Sequence, residues 1–135
     1  MKHIKGNEIT AKPASASYFT GTVWIEALSE TDILEVQVFR VTFEPNARTA
    51  WHTHPKGQTL VITSGNGLFQ KRGEAVQTMS EGDVIVIPAD VKHWHGASPN
   101  SLMQHLAIQA QVGGIAATWL EHVTDSDYLS LENPV

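Results

Sequence analysis

Apolar residues in this chain recur mostly at every second position, the spacing of strands rather than helices. A first strand is expected near residues 20–28 (TGTVWIEAL) and a second near 34–44 (LEVQVFRVTFEP). In the second, Val36, Val38, Arg40 and Thr42 share one face, and Gln37, Phe39, Val41 and Phe43 the other. A third strand (RTAWHTHP) stops at Pro55. A fourth (QTLVITSG) ends in a turn at Ser64-Gly65-Asn66-Gly67. GLFQKRG and AVQTMSEG flank Gly73-Glu74 as a hairpin, and DVIVIPAD, VKHWHGAS and SLMQHLAIQAQ follow. Only the end, TWLEHVTDSDYLSL, has helical spacing, which places Trp119, His122 and Val123 on one side. Many short strands between Gly, Pro, Asn and Asp turns predict an all-β sandwich or barrel with a short C-terminal helical segment. One domain is expected over 1–135, its barrel spanning about 20–112, with no repeat or internal linker.

Composition narrows the function classes. The 135 residues carry a formal net charge of −5, and no basic stripe offers itself to phosphates, so no nucleic-acid partner is expected. There is no cysteine, so any metal site must use nitrogen and oxygen donors. The polar start MKHIKGNEIT lacks a signal peptide's apolar core, and no apolar run reaches membrane-spanning length. A cytoplasmic protein with no membrane partner is expected. Charged residues make up only 17% of the chain, which suggests a surface covered by a second subunit.

The histidines carry the candidate chemistry. His52 and His54, two apart on a strand, face the same way, and Ala50 and Arg48 continue that face. Gln58 opens the next strand and can return to the level of His54. A second His-x-His pair, His93 and His95, lies on another strand, also beside a tryptophan. One such pair is common by chance; two on separate strands point to a metal in an enclosed space. His3 in the N-terminal tail and His122 near the C-terminus are better read as surface or packing groups. In SLMQHLAIQ, Met103, His105, Ala107 and Gln109 share a face, so His105 is either a satisfied core histidine or part of a site. His95 suits a supporting hydrogen bond or general-acid work. Gln109 can hydrogen-bond a ligand, and Thr49 either does so or holds a turn. Trp51, Trp94 and Trp119 are expected to pack against neighbouring strands or a partner.

Two segments resemble the paired motifs of the cupin family. NARTAWHTHPKGQTLVITSG fits the first, with Asn46 in place of its opening Gly, Gln58 in place of its Glu, and Gly65 closing it. GDVIVIPADVKHWHGA fits the second from Gly82 through Pro88 to His93, with Asp90 for the inner Gly and Ala97 for the Asn. The resemblance implies a jelly-roll-like β-barrel whose metal ligands are His52, His54, Gln58 and His93. A neutral Gln58 leaves the full double charge on a divalent ion, favouring Lewis-acid chemistry and anions at some cost in affinity.

YFTGTVWI, FEPNARTAWHTHPKGQTL, KHWHGA, HLAIQ and WLEHVTDSDY further resemble small bacterial cupins that act as (R)-selective hydroxynitrile lyases. That resemblance implies manganese as the metal, with iron, zinc or nickel as alternatives, and a small-molecule substrate. The reaction implied is cleavage or formation of (R)-cyanohydrins such as mandelonitrile. His105 matches that group's candidate proton-transfer histidine. Phe39 and Val41 fall on the pocket wall, Phe39 being bulkier than the group's residue there. Cupins of this type pair through their sheets, so a homodimer or homotetramer is expected. Two rivals stand beside the lyase: an iron dioxygenase on the same ligands, and a metabolite-binding cupin.

Overall fold

The longest element is one continuous strand of 14 residues, Gln58–Lys71, and the rest of the molecule is arranged around it. A computed structural model describes residues 1–30 and 33–131, so residues 31, 32 and 132–135 of the expected domain lie outside the described residues. In chain order the strands are β1 (Lys12–Pro13), β2 (Phe19–Thr20), β3 (Val23–Ala27), β4 (Val36–Phe43), β5 (Arg48–Thr49) and β6 (His52–Thr53). They continue with β7 (Gln58–Lys71), β8 (Gln77–Ser80), β9 (Val84–Ile87), β10 (His93–Ala97), β11 (Met103–Ala110) and β12 (Thr118–Trp119). A four-residue helix, α1 (Asp125–Tyr128), closes the described chain.

The first half of β7 pairs with β11 and β9, and its second half with β10 and β8. β7 thereby belongs to two sheets, one running β1-β3-β4-β11-β7 and the other continuing through β10 and β5 to β2. The curled double sheet is the predicted all-β, barrel-like class.

The turn expected at Ser64 to Gly67 does not break the chain; it is an irregularity inside β7. Gly65 sits there at φ +74°, and a Cβ on it would fall 1.8 Å from the Leu102 carbonyl oxygen. A glycine lets the strand kink between sheets without ending. Asn46 (φ +72°) and Asp90 (φ +63°) are the non-glycine residues with left-handed backbone among the described residues. Both stand where the cupin motifs have glycine. Asn and Asp tolerate this conformation best among residues with a Cβ, which is how the motif geometry survives the substitutions.

Inward side chains of both sheets form the main core around Val23, Val41, Phe43, Leu60, Ile62, Met79 and Met103. A second cluster outside the barrel holds Trp51, Trp94, Leu68, Val76, Val123 and Tyr128, as expected for Trp51 and Trp94. The C-terminal segment docks there. Thr124 caps α1 by accepting from the Asp127 backbone N–H, and the Tyr128 hydroxyl donates to the Ala97 carbonyl at 2.6 Å.

Two local expectations are corrected. The helix is confined to Asp125–Tyr128, so Trp119 and Val123 share no helical face; Trp119 is in β12, paired with His52. The strand predicted through residues 48–54 is interrupted at Ala50 and Trp51, whose backbone N–H groups bond to Tyr18 and Glu121 carbonyls. The interruption breaks the two-residue alternation. Arg48 therefore leaves the histidine face and lies over the Tyr128 ring, bonded to Asp125 and the Val123 carbonyl.

Candidate functional site

The concave side of the double sheet encloses a cavity of about 700 Å³. β5, β6 and β7 bring Thr49, His52, His54 and Gln58 to it; β4 brings Gln37, Phe39 and Val41; β10 and β11 bring His95, His105 and Gln109. The residues singled out from sequence thus converge on one space, with His93 against its histidines: the His52 and His93 ring centroids are 4.2 Å apart. His3 is exposed and His122 lies outside the cavity, its Nδ1 3.3 Å from the Thr20 hydroxyl.

Three of these histidines are held by one device. Nδ1 of His52 donates to the Ala50 carbonyl (2.8 Å), that of His54 to Ala116 (2.7 Å) and that of His93 to Val91 (2.8 Å). A carbonyl only accepts, so in each neutral ring the proton is on Nδ1 and Nε2 keeps a bare lone pair. Metal-binding histidines are prepared in this way. The Nε2 of His54 is buried without a hydrogen-bond partner. That of His93 faces the Gln58 side-chain oxygen at 3.3 Å. The Gln58 amide nitrogen is already engaged, donating to Gln109 Oε1 at 3.1 Å. Two lone pairs thus face one another, an arrangement that a cation between them stabilises. The donor set fits a divalent metal.

His95 and His105 differ. Neither has a carbonyl clamp; instead His105 Nε2 lies 3.0 Å from His95 Nδ1, while His95 Nε2 and His105 Nδ1 are buried without partners. The tightest grouping of ring nitrogens is His52, His93 and His95, all within 4.8 Å, so proximity alone selects His95 in place of His54. The clamps favour His54: its tautomer is fixed for ligation, whereas His95 shares a proton with His105.

Burial disfavours the charged form of all five rings. Burial, reinforced by the neighbouring His93 and His54, holds His52 well below the usual imidazole range. His95 is likewise well below it through burial and then the nearby His105. Burial lowers His93 and His105 to about 4. His54 is lowered by burial too, opposed by the Ala116 carbonyl and the Gln58 side chain. All five are neutral at pH 7, as metal ligation and proton acceptance both require.

Most of the remaining wall is apolar, with Thr10, Lys12 and Ser15 also lining it. Trp119 stacks on Tyr18 at 4.9 Å and lies 4.6 Å from the His52 ring, while Phe43 meets His105 at 5.2 Å. Trp119 and Tyr18 were not recognised from sequence as site residues. No periodicity signals them, because each is brought in by a short irregular segment. Thr49 lines the cavity, but its hydroxyl accepts from the His95 backbone N–H at 3.2 Å, so it also holds the β5–β10 seam. No acidic side chain lines the cavity among the described residues.

Comparison with known proteins bears on the fold and the family. Residues 39–107 match the family model for the cupin domain. An (R)-mandelonitrile lyase from Granulicella tundricola is 50% identical over 124 residues, covering 91% of this chain and 94% of that enzyme. A cupin-like protein of solved structure from Thermotoga maritima is 42% identical with a TM-score of 0.84, over 87% of this chain and 90% of that one. An acireductone dioxygenase from Picosynechococcus is 32% identical over 81 residues, 57% of this chain and 44% of that enzyme.

Proposed function

This chain belongs to the cupin family, and on that footing we propose that it is a metal-dependent hydroxynitrile lyase, splitting or forming (R)-cyanohydrins such as mandelonitrile. The observation that carries the reading is the His95–His105 pair, its two outer nitrogens buried without hydrogen-bond partners, set directly beside a carbonyl-clamped histidine cluster. The half-identity to an (R)-mandelonitrile lyase across nearly the whole chain supports the choice of reaction.

His52, His54, His93 and Gln58 would hold the metal, with manganese first and iron, zinc or nickel suited to the same donors. A divalent ion there would supply Lewis acidity, undiminished in charge because every donor is neutral. The aromatic and aliphatic wall, with Phe39 and Val41, takes the carbon substituent of the cyanohydrin. The His95–His105 pair accepts the hydroxyl proton. As the carbon–carbon bond breaks, its electron pair leaves with cyanide and the carbonyl forms. The pair then returns its proton to cyanide, giving HCN. Burial makes these imidazoles weak bases, which favours the return and opposes the uptake, so the Lewis acidity a bound ion would supply is needed to acidify the hydroxyl. The Gln109 amide stands within the same space to hydrogen-bond the departing anion.

The test is benzaldehyde release from mandelonitrile in mildly acidic buffer, manganese-loaded protein against His52→Ala. Release by the intact protein alone supports the reading; equal release by both overturns it. A dioxygenase is a second reading, favoured by the partial likeness to acireductone dioxygenase. It requires oxygen consumption by iron-loaded protein, which a lyase does not show.

The partner we propose is a second copy of the chain, as a homodimer or pairs of dimers. By strand register, Val38, Val61, Val84, Val86, Leu106 and Ile108 all lie on the convex face of the β4-β11-β7-β9 sheet. Val84 is 55% and Val86 72% exposed. No helix among the described residues is long and apolar enough to cross a membrane.

A further inference from the structure

Three glutamines stand at one level on three adjacent strands. Gln37 on β4 is directly opposite Gln109 on β11, and Gln58 on β7 follows the next pair, Ile108 and Thr59. Their amides are linked in a single direction. Gln58 Nε2 donates to Gln109 Oε1 at 3.1 Å, and Gln109 Nε2 donates to Gln37 Oε1 at 3.2 Å. The inner end is the Gln58 oxygen, aimed at the bare Nε2 of His93.

A row of amides can run in two directions, because turning each group over exchanges donor and acceptor. With every amide reversed, Gln58 Nε2 would donate to His93 Nε2. That state satisfies His93 with no cation and removes the Gln58 oxygen from the ligand set. The direction observed leaves two lone pairs face to face and is favourable only with a positive charge between them. A glutamic acid at this position would have no such choice, since both its oxygens accept.

We infer that Gln109 and Gln37 are positioning residues: together they hold the Gln58 carbonyl oxygen toward the histidines and so set the metal affinity of the site. This rests on the metal reading above. Gln109 gives the Gln58 NH2 group its acceptor, and Gln37 gives one to Gln109 in turn. Loss of either frees Gln58 to turn its nitrogen toward His93, and the ion must then overcome that hydrogen bond to bind.

The experiment measures the Mn2+ dissociation constant by competition with a chelator, following free Mn2+ by electron paramagnetic resonance. Gln109→Leu and Gln37→Leu, both neutral changes, are made in the wild-type chain and in a Gln58→Glu background. In wild type, Gln109→Leu is expected to weaken binding about ten- to a hundredfold, the usual range for partners that orient a ligand. Gln37→Leu, one step further out, is expected to weaken it at least threefold. In the Gln58→Glu background the Gln37→Leu effect should shrink to less than twofold. Equal losses in both backgrounds, or no loss from Gln37→Leu in wild type, overturn the relay. Gln37 is only half-buried, so its variant carries the test even if Gln109→Leu does not fold. Wild-type protein that binds no divalent ion overturns the metal reading itself; normal wild-type binding with uncoupled variants overturns the relay alone.

Discussion

His105 on β11 reaches across to His95 on β10, Nε2 to Nδ1 at 3.0 Å, with both rings fully enclosed. One nitrogen of the contact must donate and the other accept, so the two rings form a unit with one shared proton. Removing His105 breaks the unit and leaves the carbonyl clamps on His52, His54 and His93 in place. His105→Ala should therefore keep Mn2+ affinity within about threefold while cyanohydrin cleavage falls by ~10²–10⁴, the range for losing a general acid–base group. Single-turnover assays on metal-saturated protein would check this. A normal rate would remove His105 from the reaction.

Proximity and hydrogen bonding disagree about the third imidazole ligand, and they make opposite forecasts. The carbonyl clamp on His54 predicts that His54→Ala purifies with little bound metal, whereas His95→Ala retains one ion per chain. Metal content by elemental analysis after equilibration with Mn2+ decides the matter. The reverse pattern would place His95 in the coordination sphere, as the spacing of the nitrogens suggests.

Acid should destabilise the metal-free protein. The unfolded chain takes up protons on these histidines near pH 6.5, while folded His93 and His105 do so only near 4. Between those values the unfolded state binds more protons, so stability is complete above about pH 6.5 and falls as pH drops toward 4. Each of the two contributes a loss on the order of 3 kcal/mol across the window. His52, His95 and His54 add to the loss in the same direction. Urea midpoints of chelator-treated protein should decline steadily from pH 7 to 4.5. A flat profile would contradict the neutral, buried assignment.

The exposed valine pair of β9 gives a solution test of assembly. Val86→Lys puts a charge on the edge strand of the convex apolar face, at a residue that does not line the cavity. Light scattering should show wild type at twice or four times the chain mass and the variant shifted toward a single chain. A wild-type mass of one chain at micromolar concentration would refute pairing.

Much of the barrel was legible because its strands alternate cleanly. In β11 all four inward positions, Met103, His105, Ala107 and Gln109, are buried, as the pattern requires. Legibility failed where tertiary contacts override local pattern. Ala50 and Trp51 leave the strand because Tyr18 and Glu121 supply their hydrogen bonds, and alternation then mispredicts Arg48. Gly65 reads locally as a turn, yet the pairing of β7 with both sheets carries the strand straight through it. Among the site residues, Gln37 was placed on the correct face, but nothing in its neighbourhood marks it as different from a barrel lining. Only the register of β4 on β11 brings it to Gln109.

The acceptors that orient His52, His54 and His93 are peptide carbonyls at positions 50, 116 and 91. Every amino acid carries that group, so a saturation scan would register only the space for a side chain, which is tight at the fully buried Ala50, and would not register the carbonyl's role. Sequence drift at 116 likewise leaves no trace of what the loop does. The orienting half of this centre is inherited as chain path rather than as residue identity. It would become visible only to chemistry that alters the backbone itself, such as replacement of a single amide by an ester.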